Sequence, residues 1–175
     1  MTTPTIDFAS LSLQDALDLA IGIEQEAQER YEEFTKLVGG RYAGDASDMF
    51  RMMASYEARH RTELAERRAK LFGAAPAHVS RDATEDVEAP DVTAPRVFMS
   101  ARQAMEVALA SEEKAYDFFT AALAQVRDPD VRKLFTELQG EELKHQRLVR
   151  EKMEKLPPGP DLEEEDADEP GSDAG

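Results

Sequence analysis

Cysteine is absent from this 175-residue chain. That excludes disulfides, thiolate zinc sites, Fe–S clusters and a Cys-ligated rubredoxin iron, and leaves oxygen and nitrogen as the available metal donors. Long apolar runs are missing too. None approaches the roughly 20 residues that span a bilayer, and Met1 to Gln14 has neither a basic start nor the apolar stretch of a secretory leader. Cations are scarce beside anions, 21 Lys and Arg against 37 Asp and Glu, for a formal charge of −16. Such a charge repels phosphate backbones and anionic lipids, so neither nucleic acid nor a membrane is expected as a partner. The expectation is a cytoplasmic, mostly helical protein whose 41% hydrophobic content fills one core.

What is present is a set of four apolar seams at helical spacing, each interrupted by acid at its middle. Steps of three and four give Leu13, Leu17, Ala20, Glu24, Ala27, Tyr31, Phe34 and Val38 in the first stretch, and Phe50, Met53, Glu57, His60, Leu64, Arg67 and Leu71 in the second. The third reads Met105, Ala108, Glu112, Ala115, Phe119, Ala122 and Val126. The fourth reads Val131, Phe135, Leu138, Glu142, His145, Val149, Lys152 and Leu156. Residues three apart share a helix face, so Glu57 with His60, and Glu142 with His145, aim at one centre. Burying four carboxylates and two imidazoles uncompensated would cost many kcal/mol. Two divalent ions neutralise four carboxylates and two neutral imidazoles, so a pair of metals is the expected partner.

The two halves match. An offset of 88 carries Leu17, Glu24, Ala27 and Tyr31 onto Met105, Glu112, Ala115 and Phe119. An offset of 85 carries Phe50, Glu57, His60 and Leu64 onto Phe135, Glu142, His145 and Val149. This is the pattern of a duplicated helical hairpin in which each half supplies two Glu and one His.

Capping signals set the helices at about 11–38, 45–72, 98–127 and 129–156: Ser12 with Asp15, Asp45 or Ser47, Phe98 or Ser100, and Asp128 before Pro129 open them. Gly39-Gly40, Gly73 and Leu156-Pro157-Pro158 close helices. Short turns join the helices of each half, whereas residues 73–97 form a long connection with Gly73, Pro76, Pro90 and Pro95 and no sustained periodicity. A 28-residue helix is roughly 42 Å long, and 25 extended residues reach roughly 80 Å, so this segment can return along the whole bundle. The predicted fold is an all-α, ferritin-like four-helix bundle over residues 1–156, with a crossover at 73–97. Residues 157–175 hold eight acidic residues and no basic one, which predicts a disordered acidic tail.

Glu24 with Tyr31 seven residues on, Glu57-x-x-His60, Glu112 and Glu142-x-x-His145 resemble the rubrerythrin-type members of the ferritin-like di-iron superfamily, over residues 11–156 and without the rubredoxin domain. The resemblance implies two iron ions, for which manganese or zinc can substitute, held by Glu24, Glu57, His60, Glu112, Glu142 and His145. It also implies that Glu57 and Glu142 bridge and that Glu24 and Glu112 are terminal. The implied activity is reduction of hydrogen peroxide or oxygen, with electrons from a separate rubredoxin-like carrier. The alternative is a ferroxidase in iron storage or detoxification, and a metal-free helical interaction module is a third reading. A homodimer is expected. Tyr31 either packs with its hydroxyl on a nearby carboxylate or takes part in the redox chemistry. Glu113 and His78 are expected to be solvated residues outside the centre.

Overall fold

The computed structural model describes residues 6–38 and 44–157. Gly39-Gly40 and all but the first residue of the expected acidic tail lie outside the described residues. Four helices dominate: α1 (Leu13–Leu37), α2 (Ala46–Phe72), α3 (Ala101–Leu123) and α4 (Pro129–Glu154), with a 3-10 turn at Arg81–Ala83 in the long connection. Each start is fixed by a side chain that satisfies a backbone N–H with no helical partner. Ser12 accepts from Asp15, Asp45 from Asp48, and Asp128 from Asp130 and Val131. Ser100 and Gln103 form a reciprocal capping box, which places the start of α3 after Ser100 rather than at Phe98. Gly73, at φ +58°, turns the chain out of α2 in a conformation that favours glycine.

The largest difference from the expected boundaries is at the end of α3. α3 ends at Leu123 instead of continuing to Arg127. Asp128 precedes a proline and is extended, so the chain must leave the helix before it. The Arg132 guanidinium donates to the carbonyls of Leu123 and Val126, taking over acceptors that another helical turn would have used.

The helices pair as hairpins, α1 with α2 and α3 with α4. Two apolar clusters show how the hairpins combine. One joins Leu17 of α1, Leu64 of α2, Phe119 of α3 and Phe135 of α4; the other joins Phe34, Phe50, Met105 and Val149. The start of α1 therefore sits with the end of α2, the end of α3 and the start of α4, so α2 and α3 run parallel and the connection between them must traverse the bundle. It does, packing Val79, Ala83 and Val87 on the first cluster and Ala94 and Met99 on the second. The seams hold with one exception: Leu71 is exposed, and its neighbour Phe72 packs instead. Each fully buried Leu or Phe contributes about 1.5–3 kcal/mol. Between the two clusters lies a polar layer.

Candidate metal centre

Glu24 (α1), Glu57 (α2), Glu112 (α3) and Glu142 (α4) are all buried at the middle of their helices, with exposures of 6%, 0%, 0% and 2%. Surface carboxylates at these positions would need no explanation. Buried ones require compensating charge or donors, and here several of their oxygens lack them. Glu24 Oε2, both oxygens of Glu57, Glu112 Oε1 and Glu142 Oε2 have no hydrogen-bond partner among the described residues.

The six predicted donors fall into two triads, Glu24–Glu57–His60 and Glu112–Glu142–His145. In each, one donor atom per residue lies within 4.8 Å of the others. A first-row metal bound at about 2.0–2.2 Å holds its donors up to roughly 4.4 Å apart, so each triad is close to the span of a coordination shell. The triads are related by the sequence duplication and meet at the histidines, whose rings stack with centroids 4.4 Å apart and planes 2° apart.

A residue that the sequence pattern did not reveal completes the cluster. Glu88, in the crossover, is 1% exposed and forms a third group with Glu57 and Glu112. It was hidden because the crossover has no periodicity from which to read burial. One signal was available: Glu88 lies near the midpoint of a segment that must span the bundle, and the helix carboxylates also sit at mid-height.

The electrostatics reflect crowding of acids in a low-dielectric layer. Burial, and then the charges of neighbouring carboxylates, hold Glu24, Glu88 and Glu142 well above the usual carboxylate range. Glu57 is pushed up to about 7 by burial and the Glu112 charge, against lowering contacts from Glu24, His145 and Glu88. The histidines diverge. Burial lowers His60 to about 4. Burial also disfavours the cation at His145, but its 3.0 Å contact from Nδ1 to Glu112 Oε2 outweighs this, and its pKa is raised.

Tyr31 is fully buried in the cluster below the acids, stacked on Phe50. Its hydroxyl lacks a partner in strict hydrogen-bond geometry. Burial, followed by the charges of Glu112 and Glu57, holds the phenol well above its ordinary pKa despite a lowering contact with Ser111. Glu113 lies outside, paired with Arg150 at 2.7 Å, and His78 is exposed beside Asp15.

The layer is covered on one side and open on another. The crossover spans α1 and α3, held by Arg30 from α1 and Lys114 from α3. Between α2 and α4, two cavities reach the cluster. One, of about 180 Å³, runs past Met52, Met53, Tyr56, Leu148 and Val149 to Glu57, Glu112 and His145, with Lys152 and Lys155 also in its wall. The other, of about 380 Å³, is lined by Glu63, Glu141 and the Arg67–Glu137 ion pair and reaches Glu24 and His60. No helix among the described residues is long and apolar enough to cross a membrane.

Comparison with known proteins agrees with this geometry. A family model described as Rubrerythrin matches residues 15–153, with an overlapping match at 103–170. A solved structure of an uncharacterized conserved protein from Magnetospirillum magnetotacticum MS-1 is similar at 26% identity and a TM-score of 0.64, covering 86% of this chain and 99% of that one. No curated protein matches the chain.

Proposed function

The chain belongs to the rubrerythrin family, and on that premise we propose that it is a di-iron redox protein that reduces hydrogen peroxide, or oxygen more slowly. The observation that carries this reading is the buried layer of carboxylates, several of whose oxygens lack partners, arranged with two histidines as paired triads. Glu24, Glu57 and His60 would hold one ion and Glu112, Glu142 and His145 the other. Oxygen-rich, thiolate-free donors with some imidazole suit iron or manganese. An iron pair supplies two electrons, one from each ion, which is the number that reduction of peroxide to two waters consumes along with two protons.

The protein's own contribution is donor readiness and cover of the acids on the side of the crossover. With its pKa lowered to about 4, His60 is neutral at pH 7 and presents a lone pair. Tyr31 keeps its phenolic proton and forms an apolar-backed floor beneath the acids. No cysteine in this sequence can ligate an electron-donating iron, and the proposal takes the electrons from a rubredoxin-like carrier.

A ferroxidase reading is favoured by one observation, the cavity in which Glu63 and Glu141 stand beside the Arg67–Glu137 ion pair, a lining with more acid than base that suits cation passage toward Glu24. Anaerobic Fe(II) titration followed by mixing with peroxide or oxygen separates the two. About two Fe(II) per chain, oxidised faster by peroxide than by oxygen, is the expected result. Oxygen at least matching peroxide would move the assignment to ferroxidase, and failure to bind stoichiometric metal would sink both.

A further inference from the structure

The six donors legible in the sequence come from helices, whereas Glu88 comes from the crossover. Its placement is heavily specified. Asp86, two residues earlier, adopts φ +57° and donates its backbone N–H to Glu26 Oε1 of α1 at 3.2 Å. Lys114 Nζ of α3 donates to the Ala89 carbonyl at 2.6 Å, and Arg30 Nη1 of α1 donates to the Pro90 carbonyl at 2.8 Å. Further up the crossover, Thr84 sits against Gly22 of α1, where a Cβ would approach Thr84 Cγ2 to 2.6 Å. Four contacts, three from successive turns of α1 and one from α3, thus aim one short segment inward. The side chain at its centre is an acid with Oε2 unpartnered.

A connection that only had to pack would carry an apolar residue there, because burying a carboxyl among other carboxylates destabilises the docked state. Glu88 instead offers an oxygen within 4.8 Å of oxygens from both Glu57 and Glu112, one from each hairpin. We propose that Glu88 is a seventh ligand of the centre, on the side of Glu57 and Glu112, and that it makes crossover docking and metal occupancy one linked event. This rests on the reading that the cluster holds two metal ions. If Glu88 reaches the metal only when the crossover is docked, each equilibrium must favour the other by the same factor. Metal then clamps residues 84–90, and loosening the crossover weakens metal binding from a distance.

The test uses the full chain and Co(II) under anaerobic conditions, measuring stoichiometry, dissociation constants and amide hydrogen exchange. The wild type should bind two Co(II), with exchange at the amides of residues 84–89 slowed at least about tenfold on loading. Glu88→Gln, which keeps the shape and removes the anionic donor, should abolish that slowing and weaken at least one Co(II) by about tenfold or more. Arg30→Met keeps every donor but removes an anchor of the crossover, and should weaken Co(II) as well. If Glu88→Gln binds two Co(II) with unchanged affinity and retains metal-dependent protection, the proposal is overturned while the two-metal reading stands. If the wild type binds no Co(II), both fall.

Discussion

The hairpin α1–α2 and the hairpin α3–α4 carry the same donors at the same heights, yet the surroundings make them chemically unequal. His145 meets Glu112 at 3.0 Å, whereas the corresponding contact from His60 to Glu24 is 3.8 Å. That difference accompanies a raised pKa at His145 and one lowered to about 4 at His60. Tyr31 in the first hairpin corresponds to Phe119 in the second, and each lies in a different apolar cluster. Duplication conserved the charge-bearing positions because the layer needs balance from both sides. It left the flanking positions free to diverge, since packing there needs only volume.

The sharpest way to break the pairing is to remove one donor from each hairpin. Glu57→Ala with His145→Ala should reduce bound metal from about two per chain to near zero, as read by elemental analysis after reconstitution. Unchanged occupancy would exclude this ligand set. Chelating the wild type asks how far the two hairpins depend on metal to stay together. A ligand present at a thousandfold excess over its Kd stabilises by about 4 kcal/mol, so chelation should lower the melting temperature by roughly 10 °C.

A pH series on the chelated protein sharpens the comparison. Folded Glu57 keeps its proton up to about 7, whereas an unperturbed Glu loses it around 4.5. Its stabilising contribution is therefore full below about 4.5 and lost as pH rises through about 7, roughly 3 kcal/mol. Glu24, Glu88 and Glu142 shift in the same direction. The histidines oppose each other. The contribution of His145 is present below 6.5 and lost as pH rises through its raised folded pKa, while that of His60 is present above 6.5 and lost as pH falls toward about 4. Thermal midpoints of chelated protein should fall from pH 5 to pH 8. His60→Ala should reduce losses on the acid side only, and saturating metal should flatten the alkaline slope. A chelated protein more stable at pH 8 than at pH 5 would contradict these assignments.

The smallest effects exchange the aromatic mates. Phe119→Tyr places a hydroxyl in the cluster formed by Leu17, Leu134 and Phe135, and should destabilise by about 1–3 kcal/mol in denaturant unfolding. Tyr31→Phe removes a hydroxyl that has no strict partner and should change stability by less than about 1 kcal/mol. A larger loss of peroxide turnover than of stability in Tyr31→Phe would mark a chemical role for the phenol.

Much of this was legible because helices impose a period. Glu24, Glu57, Glu112 and Glu142 stood out by interrupting apolar seams, and the hairpin pairing followed from turn lengths. Leu71 was misplaced because the seam argument assumes an unbroken period up to the last turn, whereas α2 buries Phe72 just before Gly73. The end of α3 depended on Arg132, whose reach back to Leu123 and Val126 is a tertiary contact with no local trace. Glu88 was missed for a related reason. Its burial comes from anchors at Glu26, Arg30 and Lys114, residues that on their own helices read as ordinary solvated charges.

The stacked imidazoles of His60 and His145 stand between the two helices that the crossover leaves bare, with a cavity on either flank. Among the described residues, both cavities that reach the acids therefore open on this side, one walled by His145 and the other by His60. Because the two rings lie against each other, a shift of either is felt at both doors.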